Sequence, residues 1–230
     1  MVAKPERSQN AFARIRAVAK FFFRFVLVVA LSGLAAVSYL IVRSKDPLYV
    51  VREIKDWGDY HRFDALITKV AAEHKLDPRL VKAVVWRESR FQTDMVGKNG
   101  ERGLMQISAI AAREWATANA IPNFEPDQLF DPQTNLEIGS WYLGKAMQHW
   151  NTQDDAVPFA LAEYNAGHSR VDRWVRVASQ KSPQLNAQIF EDSIDFPSTA
   201  HYVRTILARY DFYKQRGPLM PAEKNEVLRE

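Results

Sequence analysis

The sequence predicts an all-α domain preceded by a single N-terminal transmembrane helix. Three observations carry this. Apolar residues recur at helical spacing in most segments between Tyr60 and Arg216. No segment sustains a period of two, and no βαβ pattern or internal repeat occurs. Near the N-terminus, Phe25 to Val42 runs for 18 residues without a charge.

That run reads FVLVVALSGLAAVSYLIV, and Phe21–Phe23 extend it past Arg24, whose long side chain can snorkel. As a helix it spans about 27–33 Å, the thickness of a bilayer core. Residues 1–45 carry eight Lys/Arg against one Glu, a net +7, whereas residues 46–230 carry 23 Lys/Arg against 26 Asp/Glu, a net −3. The basic residues lie mainly before the apolar run, which predicts a cytoplasmic tail and a domain beyond that membrane. A cleaved signal peptide is the alternative, with Ala36-Val37-Ser38 as a small-x-small site. The run continues through Tyr39, Leu40, Ile41 and Val42, which favours a retained anchor.

The expected division is a basic tail at 1–24, the transmembrane helix at 25–42, a linker at 43–60, a helical domain at 61–216 and a tail at 217–230. The chain has no cysteine. Disulfides, thiolate metal sites, cysteine nucleophiles and a lipid-modified cysteine are thereby excluded. The acidic balance after the anchor gives no basic face for nucleic acid.

Within the domain, His61–His74 places Phe63, Leu66, Ile67 and Val70 on one helical face. Lys75-Leu76 is a break. Asp77-Pro78 is an N-cap followed by Pro at the first helical position, opening PRLVKAVVWRES. Gly97–Gly103 is a loop, Ser108–Ala120 a helix and Ile121–Asp131 a Pro-punctuated loop. Helices are then expected at Asn135–Trp150, from Pro158 to Gly167, at Val171–Ala178 and at Ser198–Arg216.

Glu88 stands out because it continues an apolar stripe of Leu80, Val81, Val84 and Val85. A carboxylate there is partly desolvated and sits at the negative end of the helix dipole. Both effects raise its pKa toward neutrality, as a general acid requires. The same placement suits a structural ion pair with Arg87, Arg90 or a distant Arg.

Glu88-Ser89-Arg90-Phe91 followed by Gly103-Leu104-Met105-Gln106-Ile107 resembles the opening signature of the family 1, SLT-type lytic transglycosylases. Asn135–Leu143 (NLEIGSWYL), Ala160–Gly167 (ALAEYNAG) and Tyr202-Val203-Arg204 resemble that family's later blocks, in order, over about residues 61–215. The resemblance implies a goose-lysozyme-like helical fold and cleavage of peptidoglycan between N-acetylmuramic acid and N-acetylglucosamine. It implies that Glu88 protonates the glycosidic oxygen and then acts as base on the muramoyl C6 hydroxyl, leaving a 1,6-anhydro end. It also suggests substrate contacts from Ser89, Met105, Gln106, Tyr164, Asn165 and Tyr202, with the Tyr164 hydroxyl reaching toward Glu88. In a bacterium the chain would be a single-pass inner-membrane protein facing the periplasm, and a protein partner in a wall-remodelling or secretion complex would suit it.

Other readings keep specific residues in view. Met105 can be core and Gln106 a helix cap; Asn165 can be a C-terminal cap feature and Tyr202 a half-buried aromatic. Trp86, Trp115, Trp141 and Trp150 read as core. The five His residues show no metal-ligand spacing, so no metal or cofactor is expected. Two positions depart from the family pattern: Gly97 stands where many members carry Ser, and Ser198-Thr199 replaces a Glu-Thr pair. A muramidase would need a helping carboxylate, for which Asp94 or Asp195 is available. An inactive wall-binding scaffold is the remaining alternative.

Overall fold

A computed structural model describes residues 6–44, 59–182 and 185–219. The chain divides into two compact units, Met1–Trp57 and Gly58–Glu230. The expected linker falls largely outside the described residues, as does most of the expected C-terminal tail.

The described part of the first unit is one helix, α1 (Glu6–Ser44). Within it Val18–Tyr39, 22 residues, is long and apolar enough to cross a membrane, and none of it is buried. Its exposed, apolar composition is that expected of a membrane-spanning helix.

The second unit is helical, as the periodicity predicts. A 3-10 turn (Asp59–His61) leads to α2 (Asp64–Glu73) and α3 (Pro78–Glu88). Then come α4 (Ala109–Ala118), a 3-10 helix (Pro126–Phe130), α5 (Pro132–His149), α6 (Val157–Ala166) and α7 (His168–Lys181). A short α8 (Ala187–Glu191) and a long α9 (Pro197–Gln215) complete it. Among the described residues there is no strand, only isolated bridges joining Val96 to Arg102 and Arg102 to Ile107.

The local signals explain most boundaries. The Asp77 carboxylate accepts from the Arg79 backbone N–H, so Asp77-Pro78 starts α3 as expected. Asp131 does the same for Thr134, so α5 opens at Pro132, three residues before the predicted start. The pattern Asp-Pro recurs there, but the apolar periodicity begins only later. The Pro-punctuated segment before it contains a 3-10 helix with a reciprocal cap between Glu125 and Gln128. The break at Gly167 holds but is only one residue long, and α7 begins at once with His168.

The core is organised by α3, whose Leu80, Val81, Val84 and Val85 are buried. It packs most extensively against α9, and α6 packs against both α5 and α9. Two polar contacts fix α9 antiparallel to α3. The Tyr210 hydroxyl donates to Asp77 at the start of α3 (2.9 Å), and the Tyr202 hydroxyl donates to Glu88 at its end (2.6 Å).

One charged pair lies inside this core. Lys82 Nζ meets Asp64 Oδ1 at 2.5 Å, with both side chains almost wholly buried. His61 Nδ1 holds the other Asp64 oxygen at 2.8 Å, and the Lys82 ammonium sits 5.1 Å from the Tyr213 ring centre. Lys82 thus joins α2, α3 and α9. Asp64→Asn leaves the Lys82 charge buried without its counter-ion, an expected loss of about 3–5 kcal/mol in chemical denaturation. A loss below about 1 kcal/mol would show that the pair does not organise the core.

Candidate active site

Glu88 is the last residue of α3, and the chain turns sharply after it. Ser89 caps the helix through its backbone N–H to Val85. Arg90 (φ 53°) and Phe91 (φ 63°) then both adopt left-handed backbone, a costly conformation for side chains of this size. Packing holds the turn: Phe91 is buried against Tyr60, and the Arg90 guanidinium lies 3.5 Å from the Trp86 ring centre. The reversal leaves the Glu88 carboxyl half-buried at the wall of a cleft of about 890 Å³.

The loop that faces Glu88 is clamped from beneath by α5. The fully buried Asn135 amide accepts from Met105 N–H (2.7 Å) and donates to Arg102 C=O and Leu129 C=O (both 2.8 Å). A Cβ on Gly103 would collide with Leu129 O and the Asn135 amide, so Gly is required there on space as well as on its φ of +74°. Gly139 on α5 makes the notch that receives the Met105 side chain. The first and second sequence blocks are therefore two halves of one clamp.

The electrostatics favour a protonated Glu88. Burial pushes its pKa up to about 7, against the Tyr202 hydrogen bond and the Arg87 charge, which pull it down; Glu101 adds to the rise. Among the described residues no Arg or Lys forms an ion pair with it, so the structural ion-pair reading fails. Burial also holds the Tyr202 and Tyr164 phenols well above their usual range, so both are neutral donors.

The predicted site residues divide into two groups. Glu88, Gln106, Tyr164 and Asn165 line the cleft. Ser89 does not: its side chain is fully buried and donates to Leu104 C=O (2.8 Å), so it tethers the loop. Met105 does not either, because its side chain is core against Gly139. The contact with Glu88 expected of Tyr164 is made by Tyr202, which does not line the cleft as a substrate contact would. Tyr202 is buried and carries the hydrogen bond to Glu88, whereas Tyr164 donates to Met105 C=O (2.9 Å). Gln106 Nε2 is spent on Gly103 C=O and Met95 C=O, at 2.9 and 3.2 Å. Asn165 Oδ1 accepts from Thr199 (2.8 Å), the residue that keeps its identity in the altered Ser198-Thr199 pair.

A family model described as the transglycosylase SLT domain matches residues 65–186. The chain belongs to the SLT family. It is 32% identical to the soluble lytic murein transglycosylase of Salmonella typhimurium over 66% of its own length and 22% of that protein's. It is 27% identical to the membrane-bound lytic murein transglycosylase F of Desulfosudis oleivorans, over 67% of its own length and 37% of that protein's. The chain thus spans well under half of these curated relatives. The 70 kDa soluble lytic transglycosylase of Escherichia coli superposes with a TM-score of 0.58 at 31% identity, covering 68% of this chain and 25% of that one.

This SLT domain carries features that sequence reasoning missed. Glu101 lines the cleft, and its carboxylate is held by the Asn99 side chain (2.9 Å) and backbone N–H (3.0 Å). Glu101 occupies the space that a side chain at Gly97 would enter. Gly97 is thus coupled to a second acid in the cleft. The carboxylates anticipated for that role are elsewhere. Asp94 does not line the cleft, and Asp195 binds Trp174 Nε1 (2.6 Å) and Arg173 (2.9 Å). The histidines without metal spacing also converge, His149 and His168 on Glu163. All of these depend on tertiary folding; only the Gly97 departure signalled a local change.

The raised pKa has a stability consequence. Between about 4.5 and 7 the folded chain retains a Glu88 proton that the unfolded chain has released, so stability falls as pH rises through that window. Glu88→Gln removes this cost. Its Tm relative to wild type is expected to rise from pH 4 to pH 8, by the equivalent of up to about 3 kcal/mol. A pH-independent difference would mean that Glu88 is solvated like any surface carboxylate.

Proposed function

We propose that this chain is a peptidoglycan lytic transglycosylase that cleaves the MurNAc-β-1,4-GlcNAc bond and leaves a 1,6-anhydromuramoyl end. The observation that carries the reading is Glu88: a carboxyl with a pKa of about 7, facing the cleft and hydrogen-bonded to a neutral tyrosine.

Protonated Glu88 gives its proton to the glycosidic oxygen as the C1–O bond breaks. Tyr202 then stabilises the carboxylate that results. The carboxylate takes the proton of the muramoyl C6 hydroxyl, whose oxygen bonds to C1, and Glu88 returns to its starting state. An attached nucleophile has a high effective concentration, so no second carboxylate is needed to activate water. Gln106 and Asn165 at the cleft wall support sugar contacts. The apolar helix and the membrane-bound relative support membrane association. The basic residues before that helix support an inner-membrane anchor with the SLT domain in the periplasm.

Glu101 favours a second reading, hydrolysis, because it offers a second carboxylate beside the acid. Digestion of purified peptidoglycan by the full chain in detergent, followed by mass analysis of muropeptides, separates the two. Anhydro-ended products are expected from wild type, with Glu88→Gln reduced at least about 10³-fold. Reducing ends that disappear in Glu101→Gln would establish hydrolysis instead, and no cleavage by wild type would leave a binding scaffold. The wild-type kcat/KM is expected to fall about tenfold per pH unit above about 7, where the general acid is lost.

A further inference from the structure

On the lining of the cleft, three side chains converge from three helices. His149 closes α5, Glu163 lies in the last turn of α6, and His168 opens α7. Each offers one ligand atom, and these atoms lie within 4.8 Å of one another. His149 Nδ1 is 2.7 Å from Glu163 Oε1, and His168 Nδ1 is 2.8 Å from Glu163 Oε2. All three residues line the cleft, so the group is open to solvent on one side.

From this geometry we propose that His149, Glu163 and His168 form a binding site for a divalent transition-metal ion of the zinc class. Two imidazole nitrogens and one carboxylate are a ligand set that zinc accepts, with a fourth position left for water. Ligands about 2.1 Å from a tetrahedral ion sit about 3.4 Å apart, so within the 4.8 Å that bounds these atoms the imidazoles and the carboxylate need adjustments of about 1 Å to share one ion.

The surroundings are those of a supported site. The second ring nitrogen of His168 faces Asp172 Oδ2 at 3.3 Å, a carboxylate–histidine pairing that orients a ligating imidazole. The Trp150 indole donates to Glu163 Oε2 (2.7 Å) and fixes the carboxylate from behind. Tilted ring packing surrounds the imidazoles: the His149 and His168 ring centres are 4.9 Å apart, and the Trp150 ring centre lies 5.7 Å from that of His168. The bound ion would clip α5, α6 and α7 together across their loops.

The alternative is a hydrogen-bonded relay around Glu163 that binds no metal. The test titrates ZnCl₂ into metal-free, tag-free full chain in detergent, followed by calorimetry and by thermal unfolding. One equivalent is expected to bind, raising the Tm, and the affinity is expected to drop at least tenfold in both His149→Ala and His168→Ala. The helical circular dichroism of each variant reports that it is folded, and His168→Gln provides a second, milder change. A relay only is established, and the proposal overturned, by the absence of stoichiometric binding or by binding that folded variants leave unchanged.

Discussion

The antiparallel seam between α3 and α9 is the constraint on which the site depends. It buries the apolar stripe of α3, and Glu88 is the next residue on that stripe. The seam strips water from one side of the carboxyl, and Tyr202 returns a single hydrogen bond. Desolvation outweighs that bond and the Arg87 charge, which is why the pKa settles near neutrality. A solvated glutamate would be ionised at pH 7 and would have no proton to give.

The opposite wall of the cleft is set by a different device. One buried amide, Asn135, satisfies three backbone groups, two in the loop after α3 and one in the 3-10 helix before α5, and Gly103 and Gly139 provide the space for that approach. Met105 and Ser89 belong to this clamp and never meet the cleft. The motif GLMQ is therefore largely a statement about loop packing, with Gln106 as the member that reaches the surface of the site.

The helical class and the main helices were legible because periodicity and caps are local. Asp77-Pro78 announced α3 correctly, and the stripe through Glu88 announced its burial. The hydroxyl expected to reach Glu88 was that of Tyr164, yet Tyr202 makes the contact, because a motif names a residue without giving the direction of its side chain. Lys82 was missed for a related reason. A lysine within an apolar stretch normally points to solvent, and only the distant Asp64 and Tyr213 make its burial tolerable. Glu101 was hidden because its importance comes from a vacancy at Gly97, which shows only when the loop is folded.

The catalytic account reduces to one physical quantity, the protonation of the Glu88 carboxyl. Infrared difference titration of the full chain against Glu88→Gln isolates its C=O stretch. A carboxyl that ionises with a midpoint near 7, and at a higher pH in Tyr202→Phe, is the result required by burial opposed by the tyrosine bond. A midpoint near 4.5, unmoved by Tyr202→Phe, would contradict it.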